Sequence, residues 1–173
     1  DTLRIPRSLH ADGTLDASKS KQWTSGFYPG ILWQLAALEN DPAITKGATQ
    51  WIIPIEKEKR DSGTHDLGFK LYCSFGNAYK VSQNEAYKDV FITAAQTLCT
   101  RYNSTVGAIR SWDQNRDKWD YPVIIDNMMN LELLFEVAQM TNDTTMYQIA
   151  DQHAKTTLNN HFRPDNSSYH VID

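Results

Sequence analysis

Two aspartates, Asp66 and Asp126, stand at the start of segments with helical periodicity, and each has a polar neighbour that can form hydrogen bonds. His65 precedes Asp66, and Asn127 follows Asp126. Where two carboxylates lie close together, the pKa of one is raised, and that group can then supply a proton near neutral pH. Asp is also a preferred helix N-cap, contributing about 1 kcal/mol, and a helix N-terminus favours its ionised form. The residues alone therefore leave two interpretations open, an acid–base pair and two helix caps.

Aromatic residues lie in the loops and helix starts of the same regions. Trp23 and Phe27 belong to the segment WTSGFYPG at residues 23–30, while Trp112 and Trp119 lie in a long connection. The apolar face of a sugar ring packs well on such side chains, although a single Trp is as readily explained as a loop anchor. Several aromatics together with a carboxylate pair favour a carbohydrate site.

Three of the histidines differ in their sequence surroundings, and therefore in the roles they are predicted to have. His65 is either a hydrogen-bond donor to a substrate or an ordinary, partly exposed histidine. His153 lies on the apolar face of a predicted helix, which indicates a structural role. His170 lies in a polar loop after the last predicted helix and by itself indicates little.

Helical periodicity dominates the chain, because apolar residues recur at i, i+3, i+4 and i+7. Three short polar breaks divide the predicted helices into pairs: Asn40-Asp41-Pro42, Asn84-Glu85-Ala86 and Asn142-Asp143-Thr144. Asn and Asp are good N-caps and Pro suits a first helical turn, so each break is expected to close a helical hairpin. The six predicted helices are centred on residues 30–38, 43–53, 66–81, 87–98, 131–138 and 146–158.

Two longer connections separate the hairpins, Arg60 to Thr64 and Tyr102 to Pro122, and the second is long enough to be functional. Short strands are expected only at residues 107–112 and 121–125. In a ring of helical hairpins, equivalent helix starts lie at the same end of the ring. The segments before the first helix of each pair are therefore predicted to lie close together at one open end of that ring.

Composition excludes several classes of protein. Charges of both signs are interspersed and the net charge is -4, which does not match the basic face of a nucleic-acid-binding protein. No apolar run approaches the roughly 20 residues of a membrane span. Cys73 and Cys99 lack metal-ligand spacing and are expected to be buried free thiols. The sequence has no Gly-rich phosphate loop, HExxH or GxSxG motif.

Taken together, these segments resemble the unsaturated glucuronyl hydrolases, glycoside hydrolase family 88. The resemblance covers nearly the whole chain and is carried by WTSGFYPG at residues 23–30, THDLGF at 64–69, RSW at 110–112, IIDNMMN at 124–130 and HFRPD at 161–165 with His170. It implies an all-α fold, the (α/α)6 barrel, of which this chain has three of six hairpins. Residues 1–173 are accordingly expected to form one partial catalytic domain, completed by the remaining half of the barrel or by another chain.

The resemblance also implies an activity, the removal of a 4,5-unsaturated uronic acid from the non-reducing end of a lyase-generated, glycosaminoglycan-type oligosaccharide. In that family the double bond is hydrated, with Asp126 as the general acid/base and Asp66 holding the sugar hydroxyls. No metal or organic cofactor is implied. The other residues implied to contact the substrate are Trp23, Phe27, His65, Trp112, Asn127 and His170.

Two alternatives remain at this point. One is an unsaturated rhamnogalacturonyl hydrolase on the same barrel, which the motifs at residues 23–27 and 65–69 disfavour. The other is a non-catalytic helical-repeat protein that binds carbohydrate and uses Asp66 and Asp126 only as caps. The chemistry suits a bacterial polysaccharide-degrading system, and either periplasm or cytoplasm is compatible with it.

Overall fold

Six α-helices dominate the computed structural model, which describes residues 4–173. All six predicted helices are present. Their bounds are Phe27–Glu39 (α1), Pro42–Ile52 (α2), Asn77–Ser82 (α3), Glu85–Cys99 (α4), Asn127–Thr141 (α5) and Thr144–His161 (α6). Two 3-10 helices, Trp23–Gly26 and Ile53–Arg60, flank the first helical pair. A π-helix at Gly68–Gly76 runs directly into α3, so the predicted third helix is mostly π-helical.

The three polar breaks form helix N-caps, as their composition predicts. In each break a side-chain oxygen accepts a hydrogen bond from a backbone N–H of the first turn, which satisfies a donor that the helix leaves unpaired. The acceptors are Asp41 for the N–H of Ala43 (2.7 Å), Asn84 for Ala86 (3.1 Å) and Asp143 for Met146 (2.9 Å). The preceding helices end on residues with positive φ: Asn40, Gln83 and Asn142.

Six short strands form three antiparallel pairs. The pairs are Ile5–Leu9 (β1) with Leu15–Ser18 (β2), Tyr102–Asn103 (β3) with Ala108–Ile109 (β4), and Val123–Ile124 (β5) with Val171–Ile172 (β6). The two predicted strand segments contain β4 and β5. The sequence did not indicate the other four strands, because two-residue strands carry no alternation and Pro6 interrupts β1.

The chain divides into two compact units. Residues 4–60 and 69–94 form the first, and Asp61–Gly68 with Ala95–Asp173 form the second. Each has its own buried apolar core. Fully buried side chains include Ile5, Trp33, Ile55, Leu71 and Phe91 in the first unit, and Leu67, Leu98, Ile109, Leu133 and Leu134 in the second.

Glycines allow close backbone approach beside the motif segments. In the first unit, a Cβ atom at Gly26 or Gly30 would overlap the carbonyl groups of the π-helix. In the second unit, a Cβ at Gly68 would lie 2.8 Å from the Cα of Asn130, which is too close for real atoms. A side chain at any of these positions would force the backbones apart, so the three glycines set the packing distance next to the candidate site residues.

No helix within residues 4–173 is both long and apolar enough to cross a membrane. Cys73 and Cys99 are free thiols, and both are partly rather than fully buried. Burial, helped by the charge of Asp143, raises the pKa of the Cys99 thiol to about 12, so this sulfur stays protonated and weakly reactive.

Candidate active site

The second unit places His65 between the two candidate carboxylates. Its Nε2 atom lies 3.1 Å from Oδ1 of Asp66 and 3.6 Å from Oδ1 of Asp126. The hydroxyl of Thr64 donates a 2.6 Å hydrogen bond to Oδ2 of Asp66. One ring nitrogen therefore faces both acidic groups, and the two aspartates that the sequence singled out belong to one cluster.

Asp126 is not a helix cap through its side chain. It occupies the residue before α5, but its carboxylate makes no capping hydrogen bond to the first turn. Its side chain is 43% exposed. The interpretation of Asp126 as a mere cap is therefore wrong, and the carboxylate is available both to His65 and to a molecule in solution.

The surroundings of Asp126 raise its pKa above the usual range for aspartate. Partial burial is the largest cause, since it disfavours the charged form, and repulsion from Asp66 acts in the same direction. His65 and His170 oppose the rise, since a positive charge favours the carboxylate. Asp126 therefore holds its proton at a higher pH than an ordinary aspartate, a property that suits general acid catalysis.

Asn127 anchors the start of α5 from the interior. Its Nδ2 donates a 3.1 Å hydrogen bond to the carbonyl of Ile109, and the Ile109 N–H donates a 3.0 Å bond to Nδ1 of His153. Burial lowers the pKa of His153 to about 4, with the charges of His65 and His161 as lesser causes, so this ring is neutral near pH 7. Asn127 and His153 are both fully buried. Asn127 thus has a supporting position, and its contact with a substrate stays a prediction.

Strand pairing holds His170 beside the same helix start. The Ile125 N–H donates to the carbonyl of His170 at 2.9 Å, next to the β5–β6 pair. Ser111 accepts a 2.9 Å hydrogen bond from the Ile124 N–H through its Oγ. His170 is exposed. The segment that leads into Asp126 is therefore fixed on both sides, and the His170 ring can reach solvent.

The predicted aromatic contacts lie in clusters within their own units. In the first unit, Trp23, Phe27 and Phe69 pack with ring centroids 5.6 to 5.9 Å apart, and Trp23 remains 46% exposed. In the second unit, Trp112 stands edge-on to Trp119 at 6.0 Å. An exposed aromatic held rigidly by its neighbours offers a flat apolar surface to a sugar ring at low entropic cost.

Sequence reasoning missed several supporting residues. Thr64 was quoted only as part of a motif and as the end of a connection, although a Thr two residues before an Asp is a common local hydrogen-bonding pattern. Phe69 was quoted only as part of a motif, and Ser111 only as a neighbour of Trp112. Among the described residues 4–173, no group of three or more His, Cys, Asp or Glu side chains could hold a metal ion.

Comparison with known proteins identifies close relatives. The chain is 52% identical over 171 residues, 98% of its length, to an unsaturated glucuronyl hydrolase of Formosa agariphila. It is 30% identical over 171 residues, 97% of its length, to an unsaturated chondroitin disaccharide hydrolase of Streptococcus pneumoniae. In each case the match covers 43% of the relative, so the chain spans less than half the length of these curated relatives. No protein-family model matches the chain.

A solved structure shows the same fold. The crystal structure of an unsaturated glucuronyl hydrolase specific for heparin is 44% identical and superposes with a TM-score of 0.93, covering 98% of this chain and 45% of that one. The predicted fold class is confirmed: the chain has the helical-hairpin fold of the α/α barrel proteins, of which it contains three hairpins.

Proposed function

We propose that the chain belongs to the unsaturated glucuronyl hydrolase family and that its paired carboxylates form the acid–base centre of such an enzyme. The full-length protein removes a 4,5-unsaturated uronic acid from the non-reducing end of a lyase-generated, glycosaminoglycan-type oligosaccharide. The observation that carries the proposal is the position of His65 Nε2, which faces both Asp66 and Asp126. Helix caps alone would not require this arrangement.

The reaction begins with proton transfer from Asp126 to C4 of the unsaturated ring. Positive charge then develops at C5, where the ring oxygen stabilises it, and water adds to C5 as the ionised Asp126 accepts a proton from that water. One carboxyl group can serve both steps because it is half-exposed and its pKa is raised by burial. The protein returns to its starting protonation state with one water consumed.

Bond cleavage follows from the hydrated product without a second catalytic group. The hydroxyl on C5 makes this carbon a hemiketal, which opens to a ketone and releases the ring oxygen as a hydroxyl on C1. C1 then carries that hydroxyl and the glycosidic oxygen, and it collapses to an aldehyde as the alcohol leaves. Atoms balance with one water per glycosidic bond, and this differs from direct displacement at the anomeric carbon.

The remaining candidate residues take binding roles in this proposal. Asp66 accepts hydrogen bonds from the sugar hydroxyls and raises the pKa of Asp126 by repulsion. His65 is 5% exposed, so it acts mainly by holding the carboxylates. His170, which is exposed, donates near the glycosidic oxygen. Trp23, Phe27 and Trp112 supply stacking surfaces. Completion of the ring by further hairpins, and contacts from them, stay predictions.

A turnover assay with the full-length protein tests the proposal. Unsaturated disaccharides from chondroitin and heparin lyases are mixed with the enzyme, and the ultraviolet absorbance of the conjugated enol-ether carboxylate is followed. Loss of that band is expected with at least one of them. A band that persists with both but disappears with pectin-derived unsaturated disaccharides would point to a rhamnogalacturonyl hydrolase. Persistence with all substrates, in a folded protein, would favour a non-catalytic carbohydrate-binding protein.

Truncation of Trp112 should weaken sugar binding. In an Asp126→Asn background, where bound substrate persists, we expect Trp112→Ala to raise the disaccharide Kd by about 10-fold, since loss of one aromatic stacking contact costs about 1 to 1.5 kcal/mol. Titration calorimetry measures the change. Trp51→Ala is the matched control, because Trp51 is also partly buried and edge-on to another ring, Tyr28, but is not a proposed contact. An unchanged Kd for Trp112→Ala would make this residue a loop anchor.

A further inference from the structure

A buried arginine lies where the two long connections of the chain meet. Arg101 follows α4 by two residues, and its side chain is only 5% exposed. Moving a guanidinium out of water is costly unless its N–H groups are well paired. The partners of Arg101 therefore indicate what this buried charge contributes.

Arg101 donates hydrogen bonds to both connections at once. Its Nε donates to the carbonyl of Arg110 at 2.7 Å, and its Nη1 donates to the carbonyl of Ser62 and to Oδ2 of Asp113 at 2.9 Å. The hydrogen bond from Arg101 is the largest cause that holds the pKa of Asp113 below its usual value, so this carboxylate stays charged and paired. One planar side chain thus joins residue 62 to the segment 110–113.

Two of these partners, Ser62 and Arg110, are connected to a carboxylate of the site. Ser62 lies four residues before Asp66. On the other side, Arg110 precedes Ser111, whose Oγ holds the Ile124 N–H at 2.9 Å. Ile124 lies two residues before Asp126. Arg101 is therefore connected to Asp66 through one hydrogen bond and four residues of chain, and to Asp126 through two hydrogen bonds and the short segments 110–111 and 124–126.

The backbone of Arg101 is held as firmly as its side chain. Its carbonyl accepts a 3.0 Å hydrogen bond from the Arg110 N–H and a 2.7 Å bond from the Tyr121 hydroxyl. The same hydroxyl lies 2.9 Å from the carbonyl of Ala108. Since the arginine is fixed at both ends, movement of its guanidinium is small and its partners are held at defined positions.

We propose that Arg101 is a positioning residue that sets the spacing between the segments carrying Asp66 and Asp126, an inference that rests on the proposed function. The acid–base chemistry depends on both carboxylates facing His65 Nε2 at once, and Arg101 links the two chain segments that present them. Its role differs from that of a general stabilising ion pair because two of its partners are backbone carbonyls in different connections.

The substitution Arg101→Lys in the full-length protein tests whether the positive charge of Arg101 is sufficient or whether its hydrogen-bond geometry is also needed. Lysine keeps the positive charge and the aliphatic stem, but its single nitrogen cannot reproduce the planar fork that reaches Ser62, Arg110 and Asp113 together. Arg116→Lys is the matched control. Arg116 also contacts Asp113, at 3.5 Å, but it is 59% exposed and its hydrogen bonds go only to that residue.

The kinetic expectation is a loss of rate without a comparable loss of binding. For Arg101→Lys we expect kcat to fall about 100-fold with KM within about threefold of wild type, because an error of about 1 Å in a catalytic geometry has this effect. Arg116→Lys should leave both constants unchanged. Rates are compared well below the melting temperature of each variant, so that partial unfolding does not lower kcat.

A crystal structure of Arg101→Lys provides a readout that does not depend on activity. The distance from His65 Nε2 to Asp126 Oδ1, 3.6 Å here, should lengthen by about 1 Å. An unchanged distance, or a normal kcat in a folded variant, would overturn the inference. If Arg101→Lys does not fold, Arg101→Gln is measured in the same way, and failure of both to fold would make Arg101 a stability residue only. A widened gap in a protein whose wild type turns over no unsaturated disaccharide would instead contradict the proposed function.

Discussion

Replacement of Asp126 by Asn in the full-length protein is expected to lower kcat by about 10³-fold, within the range attributed to a general acid–base group. The amide has nearly the shape of the carboxyl group, but it cannot give a proton to C4 or take one from water. Substrate binding should change little, because Asp66, His170 and the aromatic contacts remain. Asp151→Asn is the matched control, since Asp151 is 40% exposed and lies in the same unit, paired with Lys155 at 2.7 Å. Near-normal turnover in Asp126→Asn would exclude the proposed role.

The same substitution should not destabilise the protein. Burial raises the pKa of Asp126 in the folded state above its unfolded value, so the stabilisation from its protonated form is present below the unfolded pKa, about 3.9, and is lost as pH rises through the folded pKa. Asn does not ionise and avoids that loss. Thermal unfolding at pH 7 should therefore give Asp126→Asn a Tm equal to or above that of wild type, with the difference vanishing near pH 3. A clearly lower Tm at pH 7 would show that the carboxylate supports the fold.

Asp66→Asn is expected to lower kcat/KM by about 100-fold and to move the alkaline limb of the kcat profile to lower pH. Repulsion from Asp66 is one of the causes that raise the pKa of Asp126, so its removal lowers that pKa and the proton is lost earlier as pH rises. The fall in kcat/KM also reflects weaker substrate binding, because the Asn side chain has one acceptor oxygen for the sugar hydroxyls where the carboxylate of Asp66 has two.

The matched comparison is His65→Gln, whose effect on the profile should have the opposite sign. His65 lowers the pKa of Asp126, so its replacement should move the alkaline limb to higher pH. A pH series of kcat for the two variants measures both shifts. Limbs that move in the same direction, or that do not move, would show that the pKa of Asp126 does not govern the step.

Local signals in the sequence were sufficient for the helical hairpins. The apolar period of 3.6 residues and the polar breaks predicted α1 to α6, and Asp41, Asn84 and Asp143 cap their helices as expected. The π-helix at Gly68–Gly76 was not predicted, because nine residues are too few to distinguish the wider turn of a π-helix from that of an α-helix by apolar spacing. The β1–β2 hairpin was also missed, since Pro6 and Arg7 interrupt any alternating pattern.

The geometry of the candidate site was harder to predict from local sequence signals, because its contacts join residues that are far apart in the chain. Residue types and the family resemblance selected Asp66, His65 and Asp126, but nothing local shows that one ring nitrogen faces both carboxylates. The choice between cap and catalytic group for Asp126 depends on where its side chain points. Likewise nothing local shows that the fold buries Asn127 against Ile109, a residue 18 positions earlier in the chain; its contact with substrate stays a prediction.

The most direct test of the account is the full-length reaction run in deuterium oxide with an unsaturated glycosaminoglycan disaccharide, using wild type and Asp126→Asn. Mass and proton spectra of the released uronic acid show whether the double bond was hydrated. We predict that wild type yields a ring-opened product with deuterium at C4 and no enol-ether absorbance, and that Asp126→Asn yields almost none in the same time. Release of a uronic acid that keeps its double bond, with no deuterium at C4, would contradict hydration and the role proposed for Asp126.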